Sequence, residues 1–121
     1  MDYYEIWCDL ADSSRDLEFC SAVEAYLGYL KERGLLESFR IRRRKFGFAP
    51  DSFPEFNISI GFRDLAQMDA AFNRAATRDA EVEPLHRAVY GAIKNGRFAL
   101  YRDFPDPVRD RTTSGLSDTS R

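Results

Sequence analysis

An α+β sandwich of the ferredoxin-like type, with helices backing a four-stranded antiparallel sheet, is the fold class this 121-residue chain predicts. Two observations lead there. Strand-like and helix-like runs follow one another in the order β-α-β-β-α-α-β, which is the split βαβ plan. The first, third and fourth strands also carry two different faces, one apolar and one of aromatics and charges. Right-handed crossovers then give the sheet order 4-1-3-2 with every helix on one side.

The first strand is read at 3–10, where Tyr4, Ile6, Cys8 and Leu10 alternate with Tyr3, Glu5, Trp7 and Asp9. Asp12 and Ser13 offer a helix N-cap, and Ser13 with Asp16 has capping-box spacing. Leu17, Cys20, Val23, Leu27 and Leu30 then form one helical stripe, closed by Gly34. The second strand, about 36–46, turns Phe39 and Ile41 to the helices and Ser38, Arg40, Arg42 and Arg44 away. Residues 47–54, with Gly47, Pro50 and Pro54, read as a loop.

Strand three, 55–62, alternates Phe56, Ile58, Ile60 and Phe62 with Asn57, Ser59 and Gly61. Asp64 caps the next helix, with Gln67 as its box partner and Leu65, Met68, Phe72 and Ala75 on its buried side. Val82, Leu85, Val89 and Ile93 mark a second short helix, with Pro84 in its first turn and Asn95-Gly96 as its stop. The last strand, 97–104, sets Phe98, Leu100 and Phe104 against Ala99, Tyr101 and Asp103. These elements define a domain over 1–104, and 105–121, polar beyond Pro105 and Pro107, reads as a flexible tail.

Composition narrows the function classes. The formal charge of −2 gives no general attraction to nucleic acid or anionic lipid. No run reaches the roughly 18 apolar residues of a membrane span, and Met1-Asp2-Tyr3-Tyr4-Glu5 lacks the basic start of a signal peptide. Cys8 and Cys20, both within apolar patterns, suit reduced thiols in a cytoplasmic protein. No Gly-rich phosphate loop, nucleophile elbow or Cys-x-x-Cys motif occurs, so no cofactor is expected. A single histidine makes a metal site improbable.

The far face of the sheet collects Tyr3, Glu5, Trp7, Arg40, Arg42 and Tyr101. Covering its aromatics is favourable by about 25 cal/mol per Å² of apolar surface, and a second copy of the chain is the simplest cover. Tyr3, Trp7, Arg40, Arg42 and Tyr101 are the expected dimer contacts. RNA-recognition domains use the same face, but their third strand carries aromatics where this chain has Asn57, Ser59 and Gly61.

In topology, length and face pattern, residues 3–104 resemble the dimeric α+β-barrel superfamily, which includes stress-responsive A/B-barrel, EthD-like and antibiotic-biosynthesis monooxygenase-like proteins. The resemblance implies a homodimer whose sheets close a barrel, and a pocket between helices and sheet in each subunit. It implies that His86 could act as general base there, with Tyr90 or Tyr26 orienting a substrate oxygen. Arg43 would reach into that pocket as an anion clamp, and Phe39 and Ile58 would line it beside Tyr26. An enzyme of this kind would be a cofactor-independent oxygenase, cyclase or isomerase. The expectation is a small cytoplasmic homodimer that binds or transforms a small hydrophobic or aromatic molecule. Its rival is an interaction module whose pocket is filled by its own side chains.

Overall fold

In a computed structural model that describes residues 1–106, the chain forms strand β1 (Asp2–Leu10), a single 3₁₀ turn (Ser13–Arg15), helix α1 (Asp16–Glu32) and strands β2 (Ser38–Arg43) and β3 (Phe56–Phe62). Helices α2 (Leu65–Ala76) and α3 (Val82–Tyr90) and strand β4 (Ile93–Arg102) follow. The tail expected over 105–121 lies almost wholly outside the described residues. The sheet order is β2-β3-β1-β4, with every neighbouring pair antiparallel. This is the ferredoxin-like α+β fold, in the strand order read from the sequence.

Register sets the two faces. Ile6 pairs with Ile58 and with Phe98, and Ile41 pairs with Ile58, so these four share the helix side. Trp7, Asn57, Arg42 and Arg97 line up on the other side in the same way. The core lies under the helices, where Ile6, Cys8, Val23, Leu27, Ile58 and Val82 are almost wholly buried.

The helix stripes need correcting. In α1 the buried residues are Phe19, Val23, Tyr26, Leu27 and Leu30, whereas Leu17 is 80% exposed. The start of the helix explains this: Asp12 accepts from Ser14 N at 3.0 Å, a 3₁₀ turn follows, and the helix proper begins only at Asp16. The Ser13–Asp16 capping box does not form.

In α2 the core-facing pair is Gln67 and Ala71, while Leu65 and Phe72 are exposed. Gln67 tolerates burial because its polar atoms are satisfied: Oε1 accepts from Arg63 N at 2.8 Å, and Nε2 donates to Gly34 O at 2.9 Å and to Glu37 Oε2 at 2.7 Å. Asp64 caps the helix through Gln67 N as expected. Gly34 takes the left-handed conformation expected of it, with φ 73°.

Two boundaries shift. β2 stops at Arg43, because Phe46 and Gly47 turn the chain at φ 57° and 72°. Ile93 belongs to β4 rather than to the preceding helix. Asn95 and Gly96 sit inside β4, where the register slips between Trp7 and Asp9 and two residues oppose one, with Asn95 at φ 56°.

Candidate functional site

The expected catalytic pair lies on α3, whose residues at i and i+4 stack on one face. The ring centroids of His86 and Tyr90 are 4.5 Å apart and their planes lie 26° from parallel. Tyr26 of α1 meets both edge-on, at 5.6 Å from His86 and 6.3 Å from Tyr90. Burial pushes the Tyr26 hydroxyl up to about 12. Burial first, and then the neighbouring Tyr26, Tyr4 and Cys8, raise that of Tyr90. Both phenols therefore stay protonated near neutrality and can only donate or accept a hydrogen bond there.

The row continues towards the sheet edge. Tyr4 stacks on Phe98 at 5.9 Å and meets the edge of Phe72 at 5.2 Å. Here the helix layer runs out. Phe98 and Leu100 occupy the helix-side row of β4, yet they are 50% and 49% exposed, and Phe72 is exposed beside them. At nine residues α3 spans about 13 Å, whereas ten-residue β4 runs about 33 Å. The sequence reading placed Tyr4, Phe72, Phe98 and Leu100 in the core and missed this exposed apolar row. The short helical run of 82–90, ended by Gly91, was the signal that could have found it.

The other expected ligand residues are dispersed. Ile58 is 2% exposed and lies in the core, and Phe39 packs half-buried against it. Arg43 does turn to the helix side, but its guanidinium already holds Asp16 at 3.0 Å and Glu55 at 2.7 Å, over the ring of Phe56. The Arg43 guanidinium holds the Asp16 carboxyl below the usual range, and Glu55, then Asp16, raise Arg43 in turn. A second anion would have to displace them.

On the open sheet face Glu5 is central, accepting from Asn57 Nδ2 at 3.1 Å and from the Ser59 hydroxyl. Tyr3 lies opposite Tyr101 and donates to Asp103 Oδ2 at 3.3 Å. Trp7 is half-buried, edge-on to Phe53 at 6.2 Å. Arg40 and Arg42 are exposed and make no ion pair with any described residue. The five expected dimer contacts thus share one face. Among the described residues no cluster of three or more His, Cys, Asp and Glu could hold a metal ion, and no helix is long and apolar enough to cross a membrane.

Fold and face pattern together define a ferredoxin-like α+β protein, and solved structures bear out that class. A dimeric ferredoxin-like protein of unknown function from Jannaschia sp. CCS1 is 14% identical, with a TM-score of 0.62 over 84% of this chain and 98% of its own. A dimeric protein of unknown function and ferredoxin-like fold from Bacteroides fragilis is 11% identical, with a TM-score of 0.56 over 84% and 95%. A candidate antibiotic biosynthesis monooxygenase from Bordetella bronchiseptica is 10% identical, with a TM-score of 0.58 over 84% and 96%. At these identities the likeness is one of fold. Among curated proteins none matches the chain in sequence. The chain belongs to a family of unknown function, DUF6614, which matches residues 1–116.

Proposed function

We propose that the protein is a cytoplasmic homodimer, packed sheet to sheet, in which each copy takes a small apolar or aromatic molecule into the groove between α2, α3 and β4. The observation that carries the reading is the half-exposed inner row of β4, Phe98 and Leu100, lying at the mouth of the aromatic row Tyr4–Tyr90–His86–Tyr26. Apolar walls supply affinity, and a few polar tips fix orientation. His86 would take a proton from the bound molecule, and Tyr90 would orient one of its oxygens. The dimeric state of the Jannaschia and Bacteroides proteins supports association, and the two unpaired cysteines suit a reducing compartment.

One observation favours a second reading. His86 packs face-on against Tyr90, an arrangement that suits a non-catalytic interaction module. A neutral fluorescent probe, N-phenyl-1-naphthylamine, separates the two readings. The groove reading expects saturable binding to the wild type and its loss in Phe98→Asp, a change at a half-exposed position, with an unchanged far-UV circular dichroism spectrum. Absence of binding, or equal binding by the variant, overturns the groove.

A further inference from the structure

The loop between β2 and β3, residues 44–55, brings Phe53 to Trp7 on the open face. Arg44 N donates to Glu55 O at 2.8 Å, and its guanidinium donates to Phe53 O at 2.8 Å. Phe53 N closes a turn on Pro50 O at 3.1 Å. These bonds hold Phe53 against the edge of Trp7, and under the loop they leave a cleft of about 250 Å³ lined by Trp7, Arg42, Phe48, Phe53, Pro54 and Asn57. Phe48, 83% exposed, stands at its lip.

Charges at the cleft are unevenly committed. Arg43 is held by Asp16 and Glu55, and Arg44 by the Phe53 carbonyl, while the Arg97 guanidinium sits 5.8 Å from the Phe53 ring. Glu55 also borders the cleft, but its carboxylate is the one paired with Arg43. Arg42 therefore brings a guanidinium with no carboxylate partner among the described residues to a cleft walled by rings. On the far side of Phe53 lies a wider polar cleft of about 830 Å³ that contains Asp9. There the Asn95 side chain, the Glu55 amide, Lys94 and Arg44 hold the Asp9 carboxyl low.

We infer that the cleft beneath the β2–β3 loop is a second binding site, separate from the groove at β4, for a small aromatic carboxylate. Its ring packs against the wall that Trp7, Phe53 and Phe48 form, and its carboxylate takes the paired N–H groups of Arg42. The volume is below the roughly 300–1,000 Å³ of drug-sized sites, which restricts the ligand to about one ring.

Trp7 is the chain's single tryptophan, so its fluorescence reports on this site directly. The full chain is titrated with benzoate, benzyl alcohol and benzylamine. Benzoate is expected to change the emission saturably and to bind at least about tenfold more tightly than benzyl alcohol, as one charge-assisted hydrogen-bonded pair requires. Arg42→Gln should remove that preference, and Phe48→Ala, which lies off the sheet face, should weaken benzoate binding without altering association. No saturable response to benzoate, an equal response to benzyl alcohol, or an unchanged preference in Arg42→Gln overturns the site. Light scattering on the same solutions guards the result: an emission change that tracks dissociation of the protein also overturns it. The groove is tested with a neutral probe and a residue of β4, so either site can fail alone.

Discussion

His86 makes its best-defined contact through its ring. The stack on Tyr90 is worth about 0.5–1.5 kcal/mol beyond the area it buries, so part of the histidine's role is packing. Two substitutions divide packing from chemistry. His86→Phe keeps the stack, and its melting temperature is expected to match the wild type. His86→Ala loses the stack and should melt lower. If His86 serves as general base, both variants lose turnover by about 10²–10⁴-fold on a substrate found through the groove. Turnover that survives in His86→Phe would reduce the histidine to a packing residue.

Arg43 shows how a residue can be placed well while its partners stay hidden. Alternation alone turned it to the helix side, and the structure agrees. Its partners could not be read, because Asp16 opens a different element and Glu55 follows a twelve-residue excursion of the chain. Gln67 is the mirror case. Nothing in its own helix marks it as a core residue, since the groups that satisfy it come from Gly34, Glu37 and Arg63.

At the scale of elements, the number, order and pairing of the strands were legible because a two-residue period and a three-to-four-residue period are hard to confuse over long runs. What was lost lay at the ends. The Asn95-Gly96 pair signals a turn on any local reading, yet β1 beside it extends the ladder through a bulge. The exposure of Phe98 and Leu100 was lost for the same reason, because helix cover over β4 depends on where α3 stops.

The start of α3 carries a prediction. Asp79 accepts from Glu81 N at 3.0 Å and Val82 N at 2.9 Å, although it stands outside the helix. These bonds, led by that from Val82, hold its carboxyl below its ordinary 3.8. Because the folded value is the lower one, the capping contribution is complete above the ordinary aspartate range and disappears as pH falls through the lowered value. Hydrogen exchange of the α3 amides should accelerate across that acid window in the wild type. In Asp79→Asn, whose amide oxygen caps without titrating, the acceleration should be absent. An identical acid profile in the variant would assign the effect to another carboxylate.

At the scale of the whole molecule, the open face has an interface's composition: Trp7, Tyr3 and Tyr101 among arginines, with Glu5 fixed at the centre by Asn57 and Ser59. Two copies related by a two-fold axis would turn the Arg40 of each towards the other's acidic groups. Light scattering is expected to show a dimer at micromolar concentration. Trp7→Ala combined with Arg42→Glu should weaken it, because one change removes an aromatic anchor and the other introduces like charges. A monomeric wild type would dismiss the sheet-to-sheet assembly.

The central position of β1 has a consequence for how the protein is made. Its partners are Phe56–Phe62 on one side and Ile93–Arg102 on the other, so the earliest of the four strands waits for the latest before it is paired on both sides. At about 5–20 residues per second a ribosome takes several seconds to pass from β1 to the end of β4. Through that interval Tyr4 and Ile6 border an open strand edge, the kind of surface that recruits other nascent chains. A transcript truncated before Ile93 would make this exposure permanent, and its product is expected to be found in inclusion bodies or bound to chaperones.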